Sequence, residues 1–182
     1  MARGQKRETF HHGDTRRAAL EAALVLLENE GRDALTFRAV AAEIGVNHRA
    51  LYRHFESLDD LKVEVATIGF DRLADILEKV PAGAPRQLAS SYARFALANE
   101  QLYELMFSLP LREWYGASTG IGPAIRRVTA ASVAAVGSPK EGARTRVFRI
   151  WGLVHGLVDL YRTGTWRAAD ERKAATFIAS LV

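Results

Sequence analysis

The chain contains no cysteine. Disulfides, thiolate metal sites and a cysteine nucleophile are excluded together by that one absence. Long apolar runs are missing as well. The richest stretch, "VFRIWGLVHGLVDLY" (147–161), is too short and too charged to span a bilayer, which takes roughly 20 apolar residues. "MARGQKRETFHHGD" opens basic but has no apolar run behind it, so it does not read as a secretory signal. Period-two alternation is also lacking, as are internal repeats and low-complexity tracts. A soluble, cytoplasmic protein without membrane partner or cofactor is the expectation. What is present is ordinary globular material: 182 residues, 48% hydrophobic and 25% charged, enough for one sizeable core or a small module joined to a larger one. A formal charge of +4 permits a nucleic-acid partner without demanding one.

Helical spacing recurs throughout and predicts an all-α chain. The first helix is expected from Asp14 as its cap, with Leu20, Ala23, Leu24 and Leu27 on one face and Gly31 as its stop. Thr36 caps the next, whose apolar positions are Phe37, Val40, Ala41 and Ile44; Gly45 then interrupts. A short helix is predicted over 47–54. Ser57 and Asp60 read as a capping box with Asp in place of Glu, opening a long helix with Leu58, Leu61, Val65, Ile68, Ile76 and Val80 inward. "PAGAP" (81–85) marks the best boundary. The expected organisation is therefore an N-terminal arm and helix-turn-helix over 1–57, a connecting helix over 58–80 and a C-terminal helical domain over 81–182. Further helices are expected at 86–98, around 102–107, up to Val136, at 143–162 and from Asp170 onward.

The segment "IGVNHRALYRHF" (44–55) is too polar to bury and lacks the Glu/Lys pairs of an ordinary solvated face. A small residue at Ala41 and a tight turn at Gly45 let two short helices cross closely, as in a helix-turn-helix. With Val46 and Leu51 inward, Asn47, His48, Arg49, Arg53 and His54 are left outward or flanking. Arg and Asn can bond base edges bidentately, while His, Arg and Tyr can hold phosphates. Thr36 at a helix start adds a hydroxyl and free amides for a further phosphate, and Arg38 adds charge beside it. Total charge does not carry the point, since residues 1–57 hold nine Lys/Arg against eight Asp/Glu. Local concentration does: between Asn47 and Phe55 stand two Arg, two His and no acid. A solvated helix with incidental charges is the competing reading.

"LTFRAVAAEIGVNHRALYRHFESLDDL" (35–61) resembles the DNA-binding region of TetR-family transcriptional regulators, through Thr36, Val40, Ala41, Gly45, Val46, Leu51, Tyr52 and Phe55. It departs at Leu58, where many members carry Lys; Lys62, one turn on, is the candidate for that phosphate contact. His48 and Arg49 replace the family's common small residues, so base preference does not carry over. "HHGD" (11–14), "LANEQLYELMF" (97–107) and "WGLVHG" (151–156) resemble the subgroup whose C-terminal domain is named for a Trp, His and Gly on one helix. The resemblance implies a homodimer on a palindromic double-stranded operator. It also implies a ligand in the C-terminal domain that shifts the long helix and releases the DNA.

Other candidate sites are weighed on the residues themselves. His11, His12 and Asp14 could suggest a metal, but capping by Asp14 and a basic arm (with Arg3, Lys6 and Arg7) accounts for them better, and no metal site is expected. Trp151, His155 and Asp159 share a face with the small Gly152 and Gly156. Catalysis there needs a nucleophile: cysteine is absent, and no Gly-x-Ser-x-Gly spacing is expected around any serine. A helix apolar on most sides must be covered on most sides. Trp151, Gly152, His155, Gly156 and Asp159 are therefore assigned to a subunit interface, together with Phe177, Ile178 and Leu181 of the last helix. Tyr92, Phe95, Tyr103, Met106, Phe107, Trp114, Tyr115 and Phe148 are the candidates for a mostly apolar small-molecule effector pocket, with ordinary core as the alternative. Besides a regulator, two classes stay open: a ligand-binding or scaffold protein of the same fold without specific DNA binding, and, remotely, an enzyme using His155 and Asp159.

Overall fold

Side-chain caps start the helices where the sequence places Thr, Ser and Asp ahead of apolar spacing. In the computed structural model, which describes residues 12–114, 116, 120–137 and 140–182, the Oγ1 of Thr36 accepts from the Ala39 amide at 3.1 Å. The Oγ of Ser57 accepts from the Asp60 amide at 3.1 Å, and Asp60 in turn accepts from the Glu56 amide at 3.1 Å. Asp170 accepts from the Lys173 amide at 2.7 Å. Each such cap satisfies a backbone donor that the helix cannot, and is worth about 1 kcal/mol.

The helices among the described residues are α1 (His12–Glu30), α2 (Phe37–Glu43), α3 (Leu58–Leu77), α4 (Pro85–Ala98), α5 (Glu100–Ser108), α6 (Leu111–Trp114), α7 (Ile121–Val136), α8 (Lys140–Arg162) and α9 (Glu171–Ser180), of which α2, α3 and α9 carry these caps. Short 3₁₀ turns cover Arg32–Ala34 and His48–Arg53. No strand forms among the described residues. Helix α1 already includes His12, so Asp14 lies inside the first turn rather than capping it. The short helix expected over 47–54 is a 3₁₀ helix, His48–Arg53, capped by Asn47 and His54. So short a segment closes few full α-turns, and its bonds run to the third residue back, from Ala50 to Asn47 and from His54 to Leu51.

Two compact units divide at 65/66, inside α3. In the first, Ala19, Ala23 and Leu27 of α1 meet Val40, Leu51, Phe55, Leu61 and Val65 in a core with almost no exposure. Arg16 lays its guanidinium over the Phe55 ring, 5.5 Å from its centre, and pairs with Glu64. The Glu64 carboxyl is raised above its ordinary range, burial outweighing the pull of Arg16.

In the second unit the apolar face of α3 is Phe70, Leu73, Ala74 and Leu77; Ile76, expected inward, is 37% exposed. The phase slips because Gly69 belongs to the inner face: a Cβ there would sit 2.5 Å from Met106 Sδ of α5 and 3.1 Å from Leu102. Phe70 stacks edge-on against Phe107 beside it, at 5.4 Å. Helices α4 and α9 pack most closely, through small residues on both sides, Ala89, Ala93 and Ala96 against Ala174, Ala175 and the fully buried Ile178. Arg127 of α7 ties down the second half of α3, bonding Asp71 (2.8 Å), Asp75 (2.7 Å) and both oxygens of Glu78 (3.0 and 2.9 Å). These carboxylates, Glu78 foremost, raise the guanidinium's already high pKa.

Candidate nucleic-acid interface and ligand groove

The turn between α2 and the recognition segment is a Schellman motif. Val46 N–H bonds the Ala41 carbonyl at 2.9 Å, and Gly45 N–H bonds that of Ala42 at 3.2 Å. Gly45 holds φ +68°, where a side chain would be strained. Asn47 then caps the next turn, its Oδ1 accepting from the Arg49 amide at 2.9 Å, so one end of its amide is spent on the backbone and its NH₂ is left for a base edge. Leu51 is completely buried and anchors the segment from below.

Above that anchor, Arg38, Arg49 and Arg53 are exposed, and His48 and His54 are partly so. Tyr52 is 59% exposed, held edge-on against Phe37 with ring centres 4.8 Å apart. Over 36–54 there are three arginines and one glutamate, Glu43. Thr36 is exposed at the start of α2, its hydroxyl already accepting from the Ala39 amide, at the end of the helix whose dipole favours an anion. Lys62 is more covered than the arginines and lies 3.6 Å from Asp59, which offsets part of its charge.

The C-terminal candidates fall into two groups. Tyr92, Phe95, Tyr103 and Met106 are buried core, and Phe107 is partly so. Trp151 and His155, expected to face a second subunit, turn instead into this cluster. Trp151 stacks parallel to Tyr92 at 6.3 Å. His155 sits between two phenols, Nε2 3.0 Å from the Tyr92 hydroxyl and Nδ1 2.5 Å from that of Tyr103, with the Phe107 ring edge-on at 4.4 Å. Burial pushes its pKa down to about 4, and burial likewise raises both phenols. A neutral imidazole has one donor and one acceptor nitrogen, so one phenol donates to it and the other accepts from it. The side chain of Trp114 and the whole of Tyr115 lie outside the described residues, as do Arg3, Lys6, Arg7, His11 and the side chains of His12 and Asp14.

Phe148 and Trp151 line a groove of about 510 Å³ between α6, α7 and α8, together with Leu111, Ile125, Val133 and Val147. Its polar members are Arg112, Arg144 and Thr129. Away from it, Gly152, Gly156, Asp159, Leu160, Phe177 and Leu181 are exposed, and a Cβ at either glycine would meet nothing within 4 Å. Ile178 has to be removed from the expected interface set: it is sealed within its own chain.

Gly116-Ala117-Ser118-Thr119-Gly120 does have Gly-x-Ser-x-Gly spacing, contrary to expectation. A nucleophile elbow needs a strand leading into a helix, and no strand exists among the described residues. Ser118 itself lies outside them. No group of three His or acidic side chains that could hold a metal is found among the described residues, and no helix among them is long and apolar enough to cross a membrane.

Comparison with known proteins matches this arrangement at both ends. Residues 19–65 match the family described as bacterial regulatory proteins, tetR family, and residues 86–182 match the tetracyclin repressor-like C-terminal domain. The chain is 32% identical over 165 residues to the uncharacterized HTH-type transcriptional regulator Rv0681 of Mycobacterium tuberculosis, covering 86% of this chain and 74% of that one. A solved structure of a protein of unknown function from Rhodococcus sp. RHA1 superposes with a TM-score of 0.71 at 27% identity, over 96% of each chain. The multidrug binding protein EbrR, solved in complex with imidazole, shares the fold with a TM-score of 0.56 at 24% identity, over 92% of this chain and 94% of that one. The chain belongs to the TetR family of bacterial transcriptional regulators.

Proposed function

We propose that this DNA-binding regulator is a homodimeric repressor that sits on a palindromic operator and is released by a small-molecule ligand. The observation that carries the DNA half is the exposed set Arg49, Arg53 and Tyr52 standing on the buried Leu51 anchor. Asn47 and His48 lie beside it, with Arg38 and Thr36 at the start of α2, His54 at the segment's end and Lys62 one turn into α3 as the backbone contacts. Arg49, exposed at the start of the segment, is assigned to base edges, and Tyr52 and Arg53 to flanking phosphates. Two copies would enter successive major grooves about 34 Å apart.

The dimer half rests on an apolar surface that no described residue covers. Phe177 is 46% and Leu181 51% exposed, beside the bare ridge of Gly152, Gly156 and Leu160 on α8, with Asp159 at its margin. An isologous four-helix contact would bury it. The ligand half rests on the groove beside Phe148, whose α7 wall is joined by Arg127 to the long helix α3. A ligand that shifts α7 would thereby act on α3, whose first residues belong to the DNA-binding unit. EbrR, of the same fold, was solved with a small molecule bound.

Selection of bound duplexes from a random pool gives the operator, and Arg49→Ala with Arg53→Ala then tests the reading. In the dimer this removes two base contacts (Arg49), at about 1–3 kcal/mol each, and two phosphate contacts (Arg53), so specific binding should weaken by at least about 30-fold and the salt slope fall by about 2. Unchanged affinity would leave a ligand-binding protein without specific DNA recognition.

A further inference from the structure

Among its described lining residues, the groove between α6, α7 and α8 offers its occupant donors and positive charge but no acid. These are six apolar side chains, Thr129 and two charged groups, Arg112 and Arg144. Neither arginine makes an ion pair among the described residues. Thr129 spends its hydroxyl proton on the Ile125 carbonyl at 2.9 Å, so its oxygen is left only as an acceptor. Beneath the surface, the indole Nε1–H of Trp151 is buried without an acceptor among the described residues. Phe148 lies edge-on to Trp151 at 5.8 Å and is 59% exposed.

We infer that this groove binds a medium-chain acyl carboxylate, its chain along Leu111, Ile125, Val133 and Val147 and its headgroup between Arg112 and Arg144. Charge complementarity decides the sign, since two guanidinium groups, with no acid among the described lining residues, repel a cation and pair with a carboxylate through fork-shaped hydrogen bonds. Size allows the length. At about 30 Å³ per water-sized group, a groove of about 510 Å³ has room for about 17 such groups, enough for a ten-carbon chain with its carboxylate, and lies within the usual range for small-molecule sites. The regulatory meaning of this site rests on the ligand-released reading above; the site itself does not.

Calorimetric titration of the full chain with decanoate, decanol and decyltrimethylammonium tests the inference. Decanoate should bind once per chain, about tenfold or more tighter than decanol, and the cation should not bind. Arg112→Gln with Arg144→Gln should abolish the preference for decanoate while circular dichroism stays unchanged; Phe148→Ala should weaken all chain binding. Equal affinity for decanoate and decanol, no binding, or indifference to the arginine changes would overturn the site. So would sedimentation in which Phe148→Glu turns a dimer into a monomer, because a second copy would then fill the groove. A protein that holds its selected duplex but takes no decanoate refutes this inference alone. One that takes decanoate with the arginine dependence but holds no duplex supports the site and refutes the regulator reading.

Discussion

Lowering the pH should cost this protein stability through one residue, His155. In the folded chain burial holds its pKa near 4, against 6.5 for an ordinary histidine. As pH falls, the unfolded chain therefore takes up a proton before the folded one does. Unfolding binds that proton between pH 6.5 and 4, so stability declines with falling pH across this window, is unaffected above it and levels off below it. At about 1.4 kcal/mol per pKa unit, the full loss approaches roughly 3 kcal/mol; at pH 5 the partial protonation of the unfolded chain gives about 2 kcal/mol. The perturbation is His155→Gln, which keeps a donor and an acceptor between the Tyr92 and Tyr103 hydroxyls but cannot titrate. Urea unfolding followed by circular dichroism, at one protein concentration and at pH 7.5 and 5, measures both proteins. The variant should be the less stable at pH 7.5, because Gln fills the space beside Phe107 and Trp151 poorly, yet lose about 2 kcal/mol less than the parent on moving to pH 5. Parallel losses in the two proteins would refute the argument, by showing that His155 is as free to charge in the folded state as in the unfolded.

Three further outcomes follow from single positions. Gly45→Ala places a side chain at φ +68° with no clash, so it should cost about 1–2 kcal/mol in a denaturant titration, from backbone strain alone. Gly69→Ala sets a Cβ 2.5 Å from Met106 Sδ and should cost about 1–3 kcal/mol by overpacking. Combined with Met106→Ala, that cost should shrink, and strict additivity in the double-mutant cycle would show that the two helices are not in close contact. Phe177→Glu should shift sedimentation from dimer toward monomer; a parent chain that stays monomeric at every concentration would remove the proposed interface.

The legible features are those whose cause lies within a few residues. Thr36, Ser57 and Asp170 act on amides three positions ahead, so their caps can be read from the chain and are found there. The same holds for the turn at Gly45 and for the outward face of the recognition segment, where Leu51 points in and Arg49, Tyr52 and Arg53 do not. Features set by a distant partner were missed. Helix α3 looked as though Ile76 faced inward, but its phase follows the approach of Met106, 37 residues away from Gly69 along the chain, and no local pattern announces that glycine as a contact. One signal was available: a glycine inside an otherwise strong helix costs about 1 kcal/mol relative to alanine and asks for a reason.

Helix α8 shows why the C-terminal site resists reading from sequence. Its residues are apolar on most of its circumference, so periodicity says that every side is covered without saying by what. Trp151 and His155 could face a second subunit or their own chain with equal apolar gain; the deciding interactions are the hydroxyls of Tyr92 and Tyr103, 63 and 52 positions away. The groove is subject to the same logic. Arg112 and Arg144 gain meaning only when α6 and α8 bring them to one apolar cleft, with no acid among its described lining residues. In the sequence each is one arginine among many, whereas in the folded chain the pair gives the cleft its charge preference. A ligand class can therefore be argued here only from packing, while DNA binding can be argued from a dozen consecutive residues, because a recognition segment carries its support and its reading face within the same two turns.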